Sequence, residues 1–162
     1  MANHPHTDYD AVIYIPSLNV RLGVHSRQDA LSSIDFLPSK GPELKPASPL
    51  ARRIVAELQA YFSDPHTCFT IPLHLSGTAF QRRVWRALRK LPAGRTAQYG
   101  ELARQLGTGA RAIGNACRAN PIPIVVPCHR VLAAHGLGGY SGVMRGSSLG
   151  IKRWLLEHES RA

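Results

Sequence analysis

The chain has 162 residues, 44% of them hydrophobic, with 14 Gly, 12 Pro and a formal net charge of +10. That length and balance fit one domain or two small ones around a real core, and exclude a disordered chain. No run approaches the ~18 apolar residues of a membrane helix, Met1–His6 has no basic or apolar leader character, and the three scattered cysteines, Cys68, Cys117 and Cys128, read as a reduced, cytoplasmic protein.

In chain order, Ala11–Ile15 and Val20–His25 are short apolar or alternating runs separated by the turn residues Pro16-Ser17-Leu18-Asn19, which predicts a hairpin. Leu31–Leu37 predicts a third strand. Ser48-Pro49 opens a helix, with Ser as cap and Pro at the first helical position. Leu50, Ile54, Val55, Leu58, Tyr61 and Phe62 form its apolar face, and Ser63-Asp64-Pro65 stops it. Cys68–Leu75 reads as a further strand or an extended linker. The expectation is an α/β N-terminal domain over residues 1–76, a small three-stranded sheet plus a helix.

Gly77 begins a different region, read as a mostly α domain over residues 77–162. Thr78 and Gln81 form a capping box, and Phe80, Val84, Trp85, Leu88 and Leu91 mark a buried stripe. Tyr99–Leu106 predicts a short helix stopped by Gly107. Ala110–Ala119 predicts a second, stopped by Asn120-Pro121. Two short helices across a Gly-containing turn have the spacing of a helix-turn-helix. The second of them is built from small and basic residues, among them Arg111, Ala112, Gly114, Asn115 and Arg118. Small residues allow the close backbone approach a minor groove requires; the competing reading is a Gly/Ala helix packed in a core. The apolar run Ile122–Val126 predicts a buried strand, and Ile151–Glu159 a last helix.

The charge is unevenly placed. Residues 1–79 hold 6 Lys/Arg against 7 Asp/Glu, and residues 80–162 hold 14 against 3. A solvated basic face would account for part of this. An excess confined to one half points to a polyanionic partner, nucleic acid rather than membrane, because no long apolar stripe lies opposite a lysine face.

The basic half carries Pro127-Cys128-His129-Arg130. A thiolate is a nucleophile, and cationic or imidazole neighbours favour it. Neighbouring side chains on a strand point to opposite faces, so a sulfur–imidazole link needs a turn or a water. An acid should hold His129 in one tautomer; of Glu101, Glu157 and Glu159, the residue best placed is Glu159. Cys68 and Cys117 read as structural, and His66, Cys68 and His74 are too irregularly spaced for a metal site.

Asn120-Pro121-Ile122-Pro123-Ile124-Val125-Val126-Pro127-Cys128-His129-Arg130-Val131 resembles the active-site signature of the O6-alkylguanine-DNA alkyltransferases. The resemblance runs from about Gly77 to Glu159 and includes Gly77-Thr78-Ala79-Phe80-Gln81, Val84-Trp85, Tyr99-Gly100-Glu101-Leu102-Ala103, Arg111-Ala112-Ile113-Gly114, Gly139-Tyr140-Ser141-Gly142 and Lys152 with Leu155-Leu156 and His158-Glu159. It implies a ribonuclease H-like first domain and a winged-helix-like second one. Cys128 would take the alkyl group from O6 of a guanine flipped out of double-stranded DNA through the minor groove. His129, through a water, would accept the thiol proton, with Glu159 orienting it and Asn120 bracing the turn. Tyr99 would donate to N3 of the base. Ser141 would donate to O6, Tyr140 shape its loop, the carbonyls of Val131 and Cys128 accept from the exocyclic amine, and Pro123 line the alkyl pocket. Arg111 would replace the extruded base, with Ala112, Gly114, Asn115, Arg118 and Arg130 also assigned to DNA. No cofactor or metal is implied, and a monomer is expected.

A thioether has no easy hydrolysis route, and with no second cysteine expected nearby a single turnover per molecule follows. Two other readings compete: an alkyltransferase-like module that binds the lesion without accepting the group, and a Cys-His-Glu hydrolase. The retained Cys128 opposes the first; the charge asymmetry and helix-turn-helix oppose the second. Between Gly142 and Lys152 the chain departs from the family pattern with a longer loop.

Overall fold

The computed structural model describes residues 8–140 and 147–161. These form two compact units, one holding the described residues up to Ser63 together with Thr67–Leu75, the other Asp64–His66 and the described residues from Ser76 onward.

The first unit is a three-stranded antiparallel sheet with one helix. β1 (Ala11–Ile15), β2 (Val20–Arg27) and β3 (Ala30–Leu37) lie in the order β1-β2-β3, with Ile13 opposite Leu22 and Val24 opposite Ile34. Leu22, Val24, Leu31 and Ile34 of the sheet are buried, as are Ile54, Leu58 and Tyr61 of α1 (Pro49–Ser63), part of the apolar face expected of that helix. Ser48 Oγ accepts from the Ala51 amide at 3.0 Å, the expected cap. Two-residue hairpin loops favour turns with φ > 0 at both positions. Gln28 and Asp29 supply that conformation, at φ 53° and 59°, between paired Arg27 and Ala30. Cys68–Leu75 is extended; it makes one parallel bridge, Leu73 to Leu31, and no strand.

The second unit begins with α2 (Ala79–Arg89), where Thr78 and Gln81 make the reciprocal capping box. The two-residue β4 (Ala97–Gln98) leads into α3 (Tyr99–Leu106). Gly107, at φ 69°, ends α3 in a left-handed cap: its N–H goes to Arg104 O, and the next amide, Thr108, to Ala103 O at 2.8 Å. That reversal starts α4 (Ala110–Arg118) after only three residues. Trp85 Nε1 donates to Ala116 O at 2.8 Å and ties α2 to α4. β5 (Val131–Leu132) pairs in parallel with β4, and α5 (Ser147–Ser160) closes the unit, starting four residues earlier than its sequence signal.

Candidate functional site

The run from Ile122 to Val126 is not the expected strand but a series of turns. Pro121, Pro123 and Pro127 have no amide to give a ladder. Ile124 stands at φ 74°, a region that β-branched residues rarely enter. The Val126 amide closes onto Ile122 O at 2.9 Å and the Cys128 amide onto Val126 O at 2.8 Å. Pro127, at φ −83° and ψ 65°, is thus the centre of an inverse γ-turn. Cys128–Arg130 follow as one 3-10 turn. This turn, rather than a strand end, separates the sulfur from the imidazole.

Cys128 reaches the wall of a cavity of about 690 Å³. Tyr99 of α3, Arg111, Gly114 and Arg118 of α4, and Tyr140 share that wall. Arg111, Asn115 and Arg118 are exposed on it, whereas Cys128 is 6% exposed. Gly138 fits against Tyr99 because it has no side chain: a Cβ there would lie 3.0 Å from the ring, and its φ is 72°. Ala112 lies on α4 outside the cavity wall. Pro123 and Val131 are buried and also absent from it. Ser141 lies outside the described residues, as does the loop as far as Gly146.

Asn120 does more than brace a turn. Its Oδ1 accepts from the Ile122 amide at 3.0 Å, which leaves Nδ2 to donate to Val126 O at 2.8 Å and to Cys128 Sγ at 3.2 Å. Burial pushes the Cys128 thiol up from its ordinary pKa; the Asn120 amide, Lys152 and the residue's own amide pull the other way without reversing it. The sulfur rests as a thiol, not as the preformed thiolate its basic neighbours suggested.

His129 is fully buried. Its Nε2 lies 2.8 Å from Glu159 Oε2, while Nδ1 has no hydrogen-bond partner among the described residues. Burial lowers the imidazole's pKa despite the carboxylate beside it, so the ring is neutral. Nε2–H then donates to Glu159 and Nδ1 presents a lone pair. Arg130, assigned to DNA from the sequence, is instead buried and spent on this carboxylate. Its Nε donates to Glu159 Oε1 at 2.9 Å and its Nη2 to Oε2 at 2.7 Å, with Nη1 on Leu91 O. A bidentate fork satisfies both carboxylate oxygens, which is why the guanidinium turns inward.

A model of the 6-O-methylguanine DNA methyltransferase DNA-binding domain matches residues 79–161, half of the chain. The chain belongs to this family. It is 56% identical over 91 residues to the methylated-DNA-protein-cysteine methyltransferase of Mycolicibacterium paratuberculosis, covering 54% of this chain and 55% of that one. The chain thus spans about half the length of that curated relative. The fold resembles the Mycobacterium tuberculosis O6-methylguanine methyltransferase, with TM-score 0.77 and 39% identity over 93% of this chain and 92% of that chain. The structure of Mycobacterium tuberculosis OGT in complex with DNA matches with TM-score 0.76 and 38% identity, over 92% and 91%.

Two residues of this methyltransferase-family site had no role assigned to them from sequence. Lys152, fully buried on α5, donates to the carbonyls of Val131, Leu137 and Gly139 at 2.7, 2.5 and 2.9 Å, and stands 5.9 Å from the Tyr99 ring centroid. Burial lowers its pKa to about 8. Its place in the Lys152 to Glu159 motif of the family resemblance was the signal for it. Cys117, read as structural, lines the same cavity as Cys128, so the expectation of no second cysteine nearby is corrected. Burial raises its pKa to about 12, which keeps it a thiol.

Burial alone would raise the Glu159 pKa, but hydrogen bonds from Arg130 and His129 outweigh it and hold it at about 2 against an ordinary 4.5. A folded value below the unfolded one stabilises the fold above the unfolded value and loses that contribution as pH falls through the folded one. Stability is therefore expected to drop by on the order of 3 kcal/mol between about pH 4.5 and about pH 2. Urea unfolding across that window measures it, and Glu159→Gln should remove most of the slope.

Proposed function

We propose that this chain repairs DNA by direct reversal, moving the alkyl group of O6-alkylguanine in double-stranded DNA onto its own Cys128. The observation that carries the reading is the Cys128 thiol in a cavity wall, with a neutral His129 held by Glu159 one residue away. The family membership of the chain supports the same substrate.

In the proposed reaction the Cys128 proton passes through a water to His129 Nδ1, the unpaired nitrogen. Sγ then forms a bond to the alkyl carbon as the carbon–O6 bond breaks; the electron pair stays with the guanine, which takes up one proton as His129 returns its own to water, so that thiol and O6-alkylguanine become thioether and neutral guanine. Asn120 Nδ2, 3.2 Å from Sγ, stabilises the developing thiolate. Burial raises the Tyr99 pKa to about 12, so its hydroxyl is a donor at neutral pH and fits the expected hydrogen bond to N3 of the base. Tyr140 and Ser141 are assigned to the O6 edge, and the Val131 and Cys128 carbonyls to the exocyclic amine. Pro123 is assigned to the alkyl pocket. O4-alkylthymine is proposed as a second substrate. The thioether product has no hydrolytic exit, so each molecule acts once. Cys117 does not change this, because a neutral thioether is a poor electrophile towards any thiol, and the Asn120 donor and the His129 base serve Cys128.

O6 is inaccessible within a duplex, so the base must leave the stack. Arg111, Ala112, Gly114, Asn115 and Arg118 of α4 are proposed to enter the minor groove, with Arg111 filling the place of the base. The reading includes a ribonuclease H-like first domain over residues 1–76, a winged-helix-like second one over residues 77–162, a monomer and a cytoplasmic location. Arg111→Ala is expected to slow alkyl transfer from duplex by tenfold or more while reaction with free O6-methylguanine base changes little; single-turnover rates on the two substrates check this. Equal slowing on both would remove Arg111 from base extrusion. Failure of the native protein to demethylate a stoichiometric lesion duplex would overturn the function.

A further inference from the structure

α2 carries a second cationic face. Arg82, Arg83, Arg86, Arg89 and Lys90 fall within roughly 120° of arc at 3.6 residues per turn. The buried Val84, Trp85 and Leu88 lie on the other side, where Trp85 bonds to α4. Arg83, Arg86, Arg89 and Lys90 are exposed and Arg82 is half-buried. None of the five makes an ion pair or a side-chain hydrogen bond among the described residues. The nearest acids in sequence do not help: from Pro65 to Gly100 there is no Asp or Glu.

Ordinary helix design does not account for this face. Cations at the C-terminal end suit the helix dipole, which covers Arg86, Arg89 and Lys90. Arg82 and Arg83 lie at or beyond the end of the first turn, where the dipole gives them no support. Arg82 with Arg86, and Arg86 with Lys90, are like charges at i,i+4, an arrangement that destabilises a helix and that a single acid would relieve. A polyanion relieves all of them together. The face is also separate from the α4 cations: α2 uses its apolar side to pack on α4, so the arc points away from Arg111 and Arg118.

We propose that the cationic arc of α2 is a second nucleic-acid site, holding the phosphate backbone of a duplex segment other than the one engaged by α4. The inference rests on the proposed DNA reading for the nature of the partner. Two separate phosphate-binding faces let the protein hold two segments briefly and pass between them, which serves a protein that must search undamaged DNA for a rare lesion.

The test follows dissociation of the native protein from a labelled undamaged duplex as unlabelled duplex is raised. Direct transfer makes the dissociation rate climb several-fold with competitor, and R83Q/R86Q/K90Q should flatten that dependence to the rate seen without competitor. R82Q/R89Q, an independent pair, should reduce it in part, and thermal unfolding of both variants should match the native protein. Repair of O6-methylguanine in a duplex of about one helical turn should be unchanged in both. A native rate independent of competitor, or variants that still respond like the native protein, would overturn the second site. So would lost repair of the short duplex in both variants, which would place α2 on the lesion-bearing segment. Binding of native protein to anionic phospholipid vesicles without any competitor effect would also overturn it. If the native protein shows the competitor effect yet fails to repair the short duplex, the repair reading fails and the second site stands.

Discussion

Cys128→Ser is expected to bind an O6-methylguanine duplex as the native protein does and to transfer no methyl group. The α4 residues proposed to meet DNA are untouched by the change, and a hydroxyl is close in size to a thiol. A serine hydroxyl in this site is far harder to ionise than a thiol, and the neutral His129 cannot take its proton at a useful rate. Binding measured by fluorescence anisotropy and transfer measured by intact mass separate the two effects. Residual transfer would mean a second nucleophile, and Cys117, on the same cavity wall, is the first place to look. Cys117→Ser is expected to retain full transfer.

Glu159→Ala is expected to cost about 3–5 kcal/mol of folding stability, the scale for removing one partner of a buried ion pair. Glu159 is 2% exposed and accepts from both Arg130 and His129. Its removal leaves a guanidinium and an imidazole buried without their acceptor. A domain's whole margin is only about 5–15 kcal/mol, so the denaturation midpoint should move far. Transfer should also slow strongly, since nothing then holds the proton on Nε2 and the lone pair on Nδ1. Glu159→Gln, which keeps an acceptor, should be milder in both respects. A stability loss below about 1 kcal/mol would mean that the cluster behaves like a solvated surface pair.

The elements that sequence exposed were those with local causes. Ser48-Pro49, the Thr78/Gln81 box and Gly107 each act within one helical turn, and each sits where its chemistry demands. The failures came where tertiary context overrode a local pattern. Ile122–Val126 has the composition of a buried strand, but three flanking or interior prolines and the left-handed Ile124 fold it into turns. Gln28-Asp29 is a hairpin turn that carries neither Gly nor Asn. β4 and β5, two residues each, are too short to have a period. At the site, Cys128, His129 and Glu159 were legible through the order of motifs around them. Arg130 was misread because a basic residue in a basic half suggests an external partner; only the fold brings it against a carboxylate 29 positions away. The same holds for Lys152, whose three carbonyl acceptors come from a segment 13 to 21 residues upstream, and for Cys117, whose place in the cavity depends on how α4 packs.

The central claim is that Cys128 is the acceptor and acts once. It is tested by incubating the protein with excess duplex carrying a single O6-methylguanine, then weighing the intact chain and mapping its peptides. One methyl group per protein, located on Cys128, with an equal amount of guanine restored in the DNA and no further repair, is the predicted result. An unmodified protein, a methyl group on another residue, or more lesions repaired than protein molecules present would contradict it.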